Sequence, residues 1–414
     1  MRKVDPAVVV VLAGISAALH VGKLPPALPV LRETLHIGLV QAGFLLSLVQ
    51  LAGMTLGLAM GAAADSIGPR RTMVLGLAIL SLASFAGGAV TTPAALLTLR
   101  ALEGAGFLLA SLPAPGLIRR LVPPARLSAM LGLWGAYMPI GTAAALLAGP
   151  AVIAMSGWPG WWWLLASLSL VMTVGLGWWV PASADQRPQE PSASAAGRIV
   201  RTLRAPGPWL ASLAFAAYSA QWLTIVGFLP TIYAQAGLPS AYAAIATAFA
   251  AAVNLVGNIA SGRLLQRGAR APLLLHAGYV AMGVGAIVAF APWGGDGASA
   301  AAARYAGILL FSSVGGLVPG TLFSLAVRVA PDDSTVSTTV GWMQQWSAFG
   351  QFAGPPLAAW AAARAGGWQV IWWVTASFAL AGMCVAVVIT RFLAGHASAG
   401  ASAAPRARRI SGTP

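Results

Sequence analysis

Carboxylates are nearly missing from this chain. Of its 414 residues only nine are Asp or Glu, against 24 Lys and Arg. A single acid, Glu103, falls inside an apolar run. Charged residues of both signs make up 8% of the chain, where an average soluble domain has about a quarter. Cysteine is reduced to Cys384, which excludes a disulfide framework and argues against a cysteine-based metal site. No Gly-x-x-x-x-Gly-Lys-Ser/Thr stretch occurs, so the chain carries no ATP motor of that kind. No nucleophile–base pair or metal-ligand cluster stands out, which leaves an enzyme, a metal or a cofactor without support. The formal net charge of +15 sits on arginines scattered through short loops, and membrane orientation accounts for them better than nucleic acid does.

What fills the chain is hydrocarbon. It is 58% hydrophobic, with a mean hydropathy of +0.80. The apolar stretches run to roughly 20 residues, the length that crosses about 30 Å of hydrocarbon at 1.5 Å per residue. The 48 glycines suit helices that pack closely in lipid. The first run, from Pro6, lacks a small-residue cleavage site and is followed by others, so it reads as a retained helix.

Hydropathy, read against Pro, Gly and charge punctuation, predicts an all-α membrane protein with twelve transmembrane helices. Their expected limits are 6–27, 39–61, 72–91, 94–118, 127–150, 161–181, 208–232, 241–261, 272–292, 303–327, 335–361 and 368–391. With the N-terminus inside, 19 of the 24 Lys and Arg fall in inner segments; Lys23, Arg32, Arg100, Arg304 and Arg364 are the exceptions. The positive-inside rule then places both termini in the cytoplasm. The longest hydrophilic stretch divides the chain into a six-helix bundle at 1–181, a linker at 182–206 and a second bundle at 207–393. A basic tail at 394–414, rich in Ala, Gly and Ser, is expected to be disordered.

The halves repeat one another. Gly157-Trp158, Trp162-Trp163 and Ala166-Ser167 recur as Gly367-Trp368, Trp372-Trp373 and Ala376-Ser377. Gly149-Pro150 answers Gly354-Pro355, and the loop from Gly57 to Arg70 aligns with Gly257 to Arg270. A parallel repeat of six spans with a site at the repeat interface is a transporter plan.

Four ionisable residues stand in two pairs where a bilayer should tolerate none: His20 and Lys23 in the first span, Arg100 and Glu103 in the fourth. Intramembrane charges are expensive, and they usually handle a solute or a proton or pair with one another. Each pair is spaced i, i+3 and shares a helix face. Lys23 lies about 6 Å and Arg100 about 9 Å below the outer ends of their spans at 1.5 Å per residue, so the four share a level in the outer half. Three of the four can be cationic, which points to a small anion as substrate. Tyr137, Tyr218, Gln221, Trp222 and Gln344 add polar groups near mid-span; Tyr218, Gln221 and Trp222 share one face of the seventh span.

The loop after the second span reads Gly61-Ala-Ala-Ala-Asp65-Ser-Ile-Gly68-Pro-Arg70-Arg71. It resembles the hallmark loop of the major facilitator superfamily. With the twelve spans, the six-plus-six repeat and the central linker, that resemblance covers nearly the whole chain. It implies two bundles rocking about a cavity lined by the first, fourth, seventh and tenth spans. Gly61, Asp65, Gly68, Arg70 and Arg71 would then form a conformational latch and leave substrate untouched. The second-half copy, Ser261 to Arg270, has no acid at the matching place. Leu99-Arg100-Ala-Leu-Glu103-Gly104-Ala-Gly106 resembles the family's arginine motif of the fourth span, and it carries an added acid. The antiporter motif of the fifth span is degraded to Gly149-Pro150, and its closer copy is Gly350 to Pro355. The run from Pro113 to Gly135 is similar to the cyanate/nitroimidazole branch, but Lys23-Leu-Pro-Pro stands where that branch has Asn-x-Arg-Pro.

The expected function is a secondary transporter of the inner (plasma) membrane, acting as a monomer in the bilayer without nucleic acid or cofactor. It would move a small anion, a carboxylate or an inorganic ion, by proton coupling or exchange. Arg100, Lys23, His20, Tyr218, Gln221, Trp222, Tyr137 and Gln344 would bind it, and Glu103 would carry the proton. The alternative is a proton-coupled efflux pump for lipophilic compounds; a non-transporting membrane sensor has less behind it. Reporter fusions at Thr92 and Gly207 are expected to read outside and inside respectively, and the reverse at either position overturns the topology.

Overall fold

The computed structural model describes residues 5–123, 126, 130, 133–185, 194–293, 295 and 297–407, without the side chains of 59–66, 195, 333, 337 and 396–407. The described chain is helical almost throughout. The first four spans are α1 (Pro6–Thr34), α2 (Leu39–Leu58, its helix continuing through Ile67), α3 (Pro69–Gly87) and α4 (Pro93–Leu121). The fifth and sixth form one helical stretch, Leu133–Trp179, which turns at Gly157, where φ is 69°. They are α5 (133–156) and α6 (158–179). The second half holds α7 (Pro206–Gln235), α8 (Ser240–Gln266), α9 (Ala271–Phe290), α10 (Ala298–Val329), α11 (Val336–Ala365) and α12 (Trp368–Gly395).

Local chemistry starts these helices where it should. Pro6, Pro69, Pro93 and Pro206 open α1, α3, α4 and α7, at the position where a missing N–H does no harm. Asp5 caps α1 by accepting from the Ala7 N–H at 3.0 Å. Arg126 donates to the same carboxylate at 2.7 Å, and that bond holds the Asp5 carboxyl below its ordinary pKa. Gly68 takes φ 101° before α3, a conformation that strains any residue with a Cβ.

α1 runs to Thr34, well past the expected limit near 27. Pro25 and Pro26 do not end it. They fall in the first turn of a second helical segment, Leu24–Thr34, which follows Pro6–Gly22 with Lys23 at the joint. The alanine-rich end of α12 also continues, as helix to Ala407, where the composition suggests a disordered tail. Alanine's helix propensity explains the extension. The linker contains its own short helix, Ala195–Arg204, tied to the α10–α11 loop by Arg201 and Asp332 at 2.9 Å.

Glycine brings backbones together inside each half, in matching places. Gly141 of α5 lies on the Ile15 carbonyl of α1, while Gly350 of α11 lies on the Ala216 carbonyl of α7. Gly76 and Gly106 join α3 to α4, and Gly285 and Gly307 join α9 to α10. These crossings leave no room for a Cβ. In lipid, where burial gives no extra drive, such approach supplies the dispersion that holds helices together.

The halves meet through α2 on α11, the far end of α1 on α7, and α5 on α8. On the side away from the termini they are sealed. Leu24, Leu28, Leu31 and Leu46 cluster there with Phe228 and Ala359, none more than 2% exposed. Gly43 of α2 lies directly on the Pro356 backbone of α11. Nearer the termini, Phe323 of α10 and Gln344 of α11 are exposed.

Gly350→Val puts a branched side chain against the Ala216 carbonyl. It is expected to destabilise the second half by about 1–3 kcal/mol, as overpacking of a tight core does. Thermal unfolding in detergent checks this: a Tm equal to the parent's would mean that the α7–α11 crossing is looser than described.

Candidate functional site

Lys23, His20, Arg100 and Glu103 converge in one cluster inside the first half. Their exposures are 0%, 0%, 2% and 1%. Glu103 is the hub. One carboxylate oxygen bonds the Lys23 ammonium, and the other accepts from Arg100 Nη1 at 2.7 Å. Two cations face one anion, so the cluster carries one net positive charge when all three are ionised.

Four helices contribute partners. From α3, Ser84 Oγ accepts from Lys23 Nζ at 2.9 Å and itself donates to the Trp162 carbonyl at 3.1 Å. From α6, the Trp162 ring lies 4.5 Å from the ammonium, a cation–π contact that helps a desolvated charge. From α2, the Leu45 carbonyl accepts from Arg100 Nε at 3.2 Å. The α1 joint adds two carbonyls: His20 O accepts from Arg100 Nη1 at 2.6 Å, and Lys23 O accepts from Trp161 Nε1 at 3.1 Å.

His20 links the cluster to a hydroxyl chain. Its Nδ1 is 3.4 Å from Lys23 Nζ, and its Nε2 is 2.8 Å from Ser169 Oγ. An ammonium can only donate, so Nδ1 accepts and the ring proton sits on Nε2. Ser169 Oγ is in turn 3.1 Å from Ser16 Oγ. The site ends at a small crevice that Arg100 and Glu103 border with Leu24, Leu45, Leu99 and Trp162. Arg100 Nη2 has no partner among the described residues.

The other sequence candidates are not gathered at this cluster. Tyr218 donates to Asn254 Oδ1 at 3.1 Å, and Asn254 Nδ2 donates to the Ser312 carbonyl at 2.8 Å, so this chain joins α7, α8 and α10. Gln221 donates to the Ala217 carbonyl of its own helix at 3.0 Å. Tyr137 stacks on Trp134 with ring centroids 4.2 Å apart. Trp222 packs at the boundary between halves, on a cluster of Leu146, Val226, Ala248 and Ala251, and its Nε1 has no partner among the described residues. Gln344 is exposed. Three further amides bridge the halves. Gln50 Nε2 donates to Gln351 Oε1 at 3.0 Å, while Gln345 accepts from the Leu58 N–H at 3.0 Å and donates to the Met54 carbonyl at 2.9 Å.

At the loop before α3, Gly61 and Asp65 belong to the stretch whose side chains lie outside the described residues. Arg70 reaches the end of α6, donating to the Val180 and Gly177 carbonyls at 2.8 and 2.6 Å. Asp185 accepts from the Arg70 N–H at 2.8 Å and lies 3.6 Å from Arg71 Nε, so it caps α3 from the linker. Ser84, Ser169, Trp162 and Asp185 escape sequence reasoning because serine and tryptophan are ordinary in spans and Asp185 reads as linker.

Removing the hub anion leaves two buried cations facing one another. Glu103→Gln is expected to destabilise the first half by about 3–5 kcal/mol, the usual cost of breaking a buried ion pair from one side. Glu103→Gln combined with Lys23→Met is expected to recover part of that loss. Detergent melting of the parent, both singles and the double measures the coupling, and additive losses would show that the charges do not depend on one another.

Comparisons with known proteins agree with this architecture. A family model described as Major Facilitator Superfamily matches residues 7–347. Crystal structures of a bacterial homologue of the human lysosomal transporter Spinster share the fold. The inward-facing, occupied form superposes with a TM-score of 0.72 at 15% identity, covering 94% of both chains. The inward-facing, unoccupied form gives 0.66 at 14% identity, covering 95% of this chain and 96% of that one. The tetracenomycin C resistance and export protein of Streptomyces glaucescens is 27% identical over 162 residues, 39% of this chain and 30% of that protein. An uncharacterised transporter from Mycobacterium tuberculosis is 28% identical over 130 residues, 31% of this chain and 22% of that one. These matches span less than a third of either relative's length. The family match over most of the chain, with the twelve spans in two repeated halves, identifies it as a transporter: the chain belongs to the Major Facilitator Superfamily.

Proposed function

We propose that this transporter exports a lipophilic, uncharged compound against protons. The observation that supports the reading is the separation of charge from the contact surface between halves. The four ionisable groups deep in the spans are sealed inside one bundle at 0–2% exposure, and their charges are mostly spent on one another. The groups at or near the boundary are aromatic and amide. Trp222 offers an indole N–H there without a partner among the described residues, and Gln344, next to the bridging Gln345, is exposed. Such a lining fits a solute held by apolar area and a few hydrogen bonds. The partial match to an export protein points the same way.

Uptake or exchange of a small anion is the second reading. It draws on the net positive charge of the cluster and the unpartnered Nη2 of Arg100, and it requires the sealed cluster to open to substrate.

Proteoliposomes separate the two. With tetracenomycin C as probe, the parent is expected to accumulate it under an imposed pH gradient and to stop when a protonophore is added. Acetate, nitrate and cyanate are expected to stay put. Transport of any of those anions without movement of the probe replaces the export reading with the anion one.

A further inference from the structure

The buried cluster holds one positive charge more than it balances, and only one of its groups can give that charge up. Arg100 keeps its proton in any protein setting. Glu103 has a cation on each oxygen, and protonating it would leave two bare cations in hydrocarbon. Protonating His20 would put a second cation 3.4 Å from Lys23 Nζ. Loss of the Lys23 proton alone leaves a neutral site, the Arg100–Glu103 pair beside an amine. We propose that Lys23, in place of Glu103, is the group that loads and releases the transported proton, and that His20 relays it. This deepens the proton-coupled reading above and rests on it.

The surroundings of Nζ support the assignment from every side. His20 comes from its own helix, Ser84 from α3, Glu103 and Arg100 from α4, and the Trp162 ring from α6. α2 contributes only the Leu45 carbonyl, held by Arg100. Three acceptors, His20 Nδ1, Ser84 Oγ and a Glu103 oxygen, match the three N–H bonds of an ammonium. The route out is the His20–Ser169–Ser16 chain. The Lys23 N–H bond breaks as His20 Nδ1–H forms, and His20 Nε2–H breaks as Ser169 Oγ takes that proton. Ser169 passes its own proton to Ser16, and Ser16, itself 5% exposed, gives one up once water reaches it. The cluster then stands neutral, with each atom at its normal valence. A charged and a neutral cluster differ greatly in their need for water, so the proton state biases which side of the transporter opens.

Acid–base titration of the purified full-length chain in detergent tests this without any substrate. Between about pH 5 and about pH 10 the parent is expected to release one more proton per chain than Lys23→Gln. Equal counts overturn the proposal, as does a missing proton in Glu103→Gln with none missing in Lys23→Gln. Ser84→Ala removes one acceptor of the ammonium and tests the same point should Lys23→Gln not fold. Its release midpoint is expected about one pH unit lower, the equivalent of one hydrogen bond to a charged group, and an unchanged midpoint overturns the assignment. In proteoliposomes, Lys23→Gln is expected to exchange tetracenomycin C across the membrane while losing pH-driven accumulation. Retained accumulation counts against Lys23. If the parent itself ignores that probe, the export reading fails and the titration still decides the role of Lys23.

Discussion

A carboxylate clamped between two cations in hydrocarbon organises the first half of this transporter. A bare charge at that depth costs several kcal/mol, so Glu103, Lys23 and Arg100 hold one another in place. Their remaining hydrogen bonds draw in α1, α2, α3 and α6. The joint in α1 belongs to the same arrangement. Lys23 stands where the Pro6–Gly22 segment passes into Leu24–Thr34, and carbonyls around that joint receive Arg100 and Trp161. The electrostatics and the joint between the two helical segments are therefore one feature.

The second half repeats the packing but not the charges. Glycine crossings at α3–α4 and α9–α10 match, as do those at α1–α5 and α7–α11. Where the first half places an ion cluster, the second places the Tyr218–Asn254–Ser312 chain, which is uncharged. Duplicated backbone contacts with unequal polar cores leave the halves alike in shape and unlike in response to pH. Among the described residues, that asymmetry confines buried ion pairs within the spans to one bundle.

Much of the fold was legible because its causes are local in sequence. Apolar length, loop arginines and repeated Gly-Trp and Gly-Pro pairs need only composition and spacing to be read. Element ends were less so. Prolines that look like a stop at Pro25 sit harmlessly in a helix's first turn, and an alanine-rich tail that looks disordered is helical to Ala407. At the site, rarity revealed the four ionisable residues, since the other charges of the spans lie close to their ends. Depth reckoning put them at one level, but it could not say whether they face a cavity or the interior of a bundle. Tyr218 and Gln221 share a helix face with Trp222, yet they bond Asn254 and their own helix while Trp222 meets the other half. Ser84 and Ser169 carried no signal at all. A serine among alanines and leucines becomes informative only when a lysine or histidine is found beside it.

Gln345 has a consequence for how easily the halves can separate. Its amide accepts from the Leu58 N–H and donates to the Met54 carbonyl, the two groups that an α-helix joins to each other four residues apart. The side chain thus stands in parallel with a rung of α2's own ladder, and a side chain inserted there is a recognised cause of helix bending. When α11 draws away, Leu58 N–H and the Met54 carbonyl still have each other within the continuous helix of α2, and no buried backbone group is left without a partner. A seam built this way grips while shut and leaves no debt of unpaired polar groups when it parts, which suits a joint that must open and close on every turnover.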